Sequence, residues 1–107
     1  MRTFGRHVLT ERPLPAHLAE GVTDPTWGLV LFPNGLGASI IRHLYSYGGT
    51  SGRWELAVVT HVGDDWQLYS GEDTIGWLTA TEVAAILDLI SDGVVTIERR
   101  KSQWEDQ

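Results

Sequence analysis

A chain of 107 residues with 42% apolar content is the length of one domain and can build a single core. It has no cysteine, so disulfides and thiolate metal sites are excluded, and its net charge of −6 works against direct binding of nucleic-acid phosphates. No apolar run approaches a membrane span, and the N-terminal MRTFGRHVLTERPLP lacks the apolar stretch of a secretory leader.

Residues 1–26 show no clean hydrophobic period. Pro13, Pro15 and Pro25, with Gly21 and Asp24, predict an extended arm, basic through Arg2, Arg6 and Arg12, with a short helical turn near Ala16–Glu20. The core is expected over 27–97. Trp27–Phe32 is apolar at every position except Gly28 and reads as a strand covered on both faces. Pro33-Asn34-Gly35 ends it in a turn that tolerates positive φ. Ala38–Tyr45 reads as a second strand, with Ala38, Ile40, Arg42 and Leu44 on one face. After the loop at Gly48-Gly49-Thr50-Ser51-Gly52, Trp54–Val62 alternates, with Trp54, Leu56 and Val58 on its inner side. Gly63-Asp64-Asp65 turns the chain into a fourth strand, Trp66–Ser70, and Thr74–Leu78 adds a short fifth.

One strong helix follows. Thr79-Ala80-Thr81-Glu82 matches a capping box, and Val83, Ile86, Leu87 and Ile90 form one apolar stripe. Gly93 is placed to cap the C-terminus, and Val94–Ile97 reads as a last short strand or a helical extension. Residues 98–107 form a tail. The expected fold is α+β: a four- or five-stranded antiparallel meander in a single domain, with one main C-terminal helix packed on one face.

Motifs for phosphate, nucleophile and metal chemistry fail one by one. Gly35-Leu36-Gly37 starts like a dinucleotide fingerprint, but Ile40 stands where the third glycine belongs and a strand follows where a helix is needed. There is no P-loop lysine, and Arg53 stands where a nucleophile elbow around Ser51 needs its second glycine. His7, His17, His43 and His61 show no metal-ligand spacing, so neither metal nor cofactor is expected. His43 or His61 with the turn carboxylates would be the acid–base pair of a small enzyme, which is a lesser reading. Trp27 and Trp54 are expected in the core, completed by Trp66 and Trp77; Tyr45, Tyr47 and Tyr69 are the aromatics expected at the surface.

Charge distribution carries the functional expectation. From Trp54 to Glu98 the chain holds nine acids and no Lys or Arg. Asp64, Asp65, Glu72 and Asp73, with Trp66 and Tyr69 between them, form a candidate partner-binding patch of acids and aromatic anchors. Such a patch suits a basic protein surface, including one that normally holds nucleic acid.

The segments FPNGLGASIIR, SYGG, WELAVV and DTIGWLTATEVAAIL, spread over residues 30–91, resemble a group of small proteins carried by actinobacterial phages and prophages. That group has no established activity or catalytic residue to transfer. The resemblance implies a mobile-element setting, in the cytoplasm of a host cell. Together these readings predict a non-enzymatic interaction protein that inhibits a host defence complex, in the manner of an anti-CRISPR protein. The alternative to it, besides the enzyme, is a virion or assembly component, a homodimer formed by pairing of the strand 38–45 across a two-fold axis.

Overall fold

The computed structural model describes residues 2–69 and 74–95. It is an α+β fold, in which a six-stranded antiparallel sheet carries the main helix on one face. The chain runs through β1 (Thr3–Phe4), β2 (His7–Val8), β3 (Thr10–Glu11), α1 (Ala16–Ala19), β4 (Thr26–Leu31) and β5 (Leu36–Arg42). A single 3₁₀ turn, Gly49–Ser51, leads to β6 (Trp54–Val62), β7 (Asp65–Leu68), β8 (Ile75–Leu78) and α2 (Ala80–Ser91).

The sheet order is β3-β4-β5-β6-β7, and β8 returns to pair with β6. β4 to β7 form the expected meander, but β8 does not extend it outward. β7 has only four residues and covers Val59–Val62, which leaves the start of β6 unpaired on that side. β8 fills the gap opposite Trp54 and Leu56, both buried, whose backbone groups need partners.

The helix forms where its local signals place it. Glu82 N–H donates to Thr79 Oγ1 at 3.2 Å and Thr79 N–H donates to Glu82 Oε1 at 2.9 Å, a complete capping box. Gly93, at φ +91°, takes the left-handed position beyond the helix end. Val83, Ile86, Leu87 and Ile90 are fully buried against Val30, Ala38, Ile40, Leu56 and Val58 of the sheet. Asn34 does more than shape its turn. Its Nδ2 donates to the carbonyls of Ile90 and Ser91, tying the β4–β5 hairpin to the C-terminal end of α2.

The N-terminal segment differs from the extended arm expected for it. β1 and β2 form a hairpin that turns at Gly5 (φ +59°), and β3 adds an edge strand beside β4. Phe4 and Leu9 enter the main core, and the Phe4 ring meets Trp54 edge-on at 5.0 Å. Two-residue strands are too short to show alternation in a sequence; what places them is the apolar surface left open beside α2 and Trp54.

Two further differences concern β5. It ends at Arg42, not Tyr45, because Ser46 Oγ accepts from His43 N–H and His43 Nδ1 accepts from Tyr45 N–H, closing a local turn. β5 also lies between β4 and β6, with both edges already paired, so pairing of this strand across a two-fold axis is ruled out. The segment Val94–Ile97 is described only to Val95, which packs on the core; the rest of that segment and the tail lie outside the described residues.

Candidate functional site

The acidic patch expected from the sequence centres on the β6–β7 hairpin. Gly63, at φ +58°, makes the reversal, and Asp64 and Asp65 stand exposed at its tip. Val62 is 86% exposed and Leu68 62% exposed, large values for apolar side chains on a paired ribbon. Trp66 is half-buried opposite His61. Together with Asp65 and Val62 they border an open depression of about 240 Å³. Tyr69 is half-buried and packs on the core, three residues on from Trp66 and therefore directed to the other side of the ribbon. Glu72 and Asp73 lie outside the described residues.

Among the described residues, Arg2, Arg6, His7 and Arg42 are drawn to other acids. Arg2 and Arg42 both bind the Asp24 carboxylate, and Arg6 and His7 both bind Asp88. The Arg2 hydrogen bond, reinforced by the Arg2 and Arg42 charges, holds the Asp24 carboxyl below its usual range. Asp88 is likewise lowered, chiefly by its hydrogen bond to His7 and then by Arg6. Arg42 is buried, and desolvation lowers its pKa; its guanidinium lies 3.9 Å from the Trp54 ring centroid and still pairs with Asp24. Asp64 and Asp65 form no ion pair among the described residues. Among the described residues Asp64 and Asp65 thus stay unmatched, while Asp24 and Asp88 are neutralised locally.

Among the described residues, His43 and His61 make no hydrogen bond to the turn carboxylates Asp64 and Asp65. His61 is held by two backbone carbonyls, Gly63 O at 2.8 Å from Nδ1 and Phe32 O at 2.7 Å from Nε2. His43 accepts a local backbone N–H. The histidine that does meet a carboxylate is His7, 2.6 Å from Asp88, but it is buried with its ring edge-on to Phe32. No group of three or more His, Asp and Glu side chains among the described residues is arranged to hold a metal ion. Also among the described residues, no helix is long and apolar enough to cross a membrane.

A second surface feature escaped the sequence reading. Trp77 is 56% exposed instead of completing the core, and it stands beside the exposed Tyr47. Trp77 N–H donates to Tyr47 O at 3.1 Å, and the Tyr47 N–H donates to the buried Glu55 carboxylate at 3.0 Å. Trp77 sits at φ +60°, a costly conformation for a bulky residue, at an irregularity where Gly76 and Trp77 oppose Glu55. The available signal is glycine. A Cβ on Gly76 would collide with Tyr47, and one on Gly48 would lie 3.2 Å from the Trp77 ring, so the two aromatics rest on each other's neighbouring glycines.

No family model, curated protein or solved structure matches this chain.

Proposed function

We propose that the protein is a non-enzymatic interaction module whose β6–β7 hairpin occupies a basic surface of a partner protein. The observation that supports this is the partition of charge. Asp24 and Asp88 are met by Arg2, Arg6, His7 and Arg42, whereas Asp64 and Asp65 are exposed and unmatched among the described residues, beside exposed Val62 and Leu68. Exposed carboxylates steer a cationic partner, and apolar side chains next to them supply the contact area that holds it. A protein groove built for nucleic-acid phosphates has the complementary field, and a compact acidic domain competes for it as a phosphate mimic. The resemblance to phage and prophage proteins supports the finer form of this reading: an inhibitor of a host defence complex, anti-CRISPR-like, acting in the host cytoplasm.

The test is affinity capture from host lysate with wild-type protein and with an Asp64→Arg/Asp65→Arg variant. Wild type should retain a nucleic-acid-binding complex that competitor DNA or a rise to about 0.3 M salt displaces, since exposed charges are screened over about 10 Å or less at such salt. The variant should retain none of it. Equal retention by both proteins, or retention that DNA does not disturb, overturns the reading.

A further inference from the structure

β7 is an outer strand of the sheet, paired with β6 and with no other strand among the described residues. Its hydrogen-bonding phase follows from one contact. Tyr69 N–H donates at 2.9 Å to the carbonyl of Val58, the residue directly opposite it in the register that pairs Val59 with Leu68. Thr60 with Gln67, and Val62 with Asp65, are then the pairs that exchange bonds, and the backbone groups of Trp66 and Leu68 point away from β6. The other side of β6 agrees, because His61 N–H donates to Gly35 O at 2.9 Å, directing His61 and Val59 toward β5. The outer edge therefore offers two donors and two acceptors, and residues 65–68 contain neither the Pro nor the Lys that commonly block such an edge.

The geometry points to strand addition: an extended, basic segment of the partner protein pairs with the free edge of β7. It takes main-chain hydrogen bonds from Trp66 and Leu68, lays an apolar side chain against Leu68, and brings Lys or Arg to Asp64 and Asp65. This deepens the proposed function and rests on its reading of the hairpin as the contact surface. Charge selects the occupant. A second copy pairing through β7 would bring one acidic hairpin against another, whereas a basic strand neutralises it.

The experiment uses the full chain and a short, capped peptide of alternating lysine and valine, with a fully N-methylated peptide of the same sequence as its control. Binding is followed by NMR at low salt. The plain peptide should bind and slow amide exchange at Trp66 and Leu68; the N-methylated one, equal in charge, should bind at least about tenfold more weakly for the loss of the main-chain bonds. Leu68→Pro should weaken the plain peptide about tenfold more than Leu68→Ala, because its lost N–H points outward and the β6–β7 ladder is left intact. Equal binding of the two peptides, or equal effects of the two substitutions, overturns strand addition. So does protection of the Trp66 and Leu68 amides in the isolated protein, which would mean that the edge is already filled by the chain itself or by a second copy. If both peptides bind alike and Asp64→Asn/Asp65→Asn abolishes both, strand addition fails while the acidic-surface reading survives. If neither peptide binds, strand addition is overturned, and the capture experiment decides the broader reading separately.

Discussion

Replacing Phe4 with alanine asks whether the N-terminal hairpin is part of the core or lies loosely on it. Phe4 is 2% exposed and its ring meets Trp54 at 5.0 Å, with an interplanar angle of 88°. Truncation to alanine gives up roughly 100 Å² of buried apolar surface, about 2.5 kcal/mol at ~25 cal/mol per Å². Loss of the edge-to-face contact adds about 0.5–1.5 kcal/mol. The sum, about 3–4 kcal/mol, falls within the range of about 3–5 kcal/mol for Phe→Ala in a packed core. Local release limits the loss. The hairpin is held by Phe4 and Leu9 in the core, by the buried His7 bonded to Asp88 and edge-on to Phe32, by Leu9 N–H donating to Arg2 O at 3.0 Å, and by the partly exposed ion pairs of Arg2 and Arg6. Exposed pairs contribute about 0–1 kcal/mol each, so they do not keep the hairpin docked once Phe4 is gone. Urea denaturation should therefore show a loss of about 3 kcal/mol, and amide exchange at Leu9 should accelerate in the folded variant. A loss under about 1 kcal/mol, with Leu9 protection unchanged, refutes the assignment of Phe4 to the core.

Two other expectations follow from the structure. Asp24 and Asp88 have folded-state pKa values lowered by their partners, so the stability these pairs add is complete above the ordinary carboxylate range and is lost as pH falls through the folded values. Melting temperature measured from about pH 6 down to pH 3 should fall less steeply in Asp24→Asn/Asp88→Asn than in wild type; parallel curves would contradict the assignment. Trp77→Gly should cost less than about 1 kcal/mol or stabilise the fold, since it relieves about 1–2 kcal/mol of left-handed strain and removes a side chain already 56% exposed. A loss above about 2 kcal/mol in a thermal melt would mean that the Trp77 ring is a structural anchor.

Periodicity and local chemistry made much of this fold readable from the residues alone. The alternation of β6, the Asn-Gly turn after β4, the stripe of α2 and its Thr79–Glu82 cap are short-range patterns, set by backbone geometry within a few residues. The exposure of Asp64 and Asp65 at the β6–β7 turn was legible for the same reason: a turn exposes its side chains. What only the tertiary structure decided are the contacts between distant segments. Phe4 joins the core because Trp54 and α2 leave an apolar gap there. Arg2 and Arg42 meet on Asp24, and Arg6 and His7 on Asp88, whereas Asp64 and Asp65 have no ion pair among the described residues. Tyr69 and Trp77 exchange their expected places because β7 alternation turns Tyr69 inward and the irregularity in β8 turns Trp77 outward. A sequence records which residues prefer burial or charge pairing. Which apolar gap or which carboxylate satisfies them is settled only when residues far apart in the chain compete for the same neighbours.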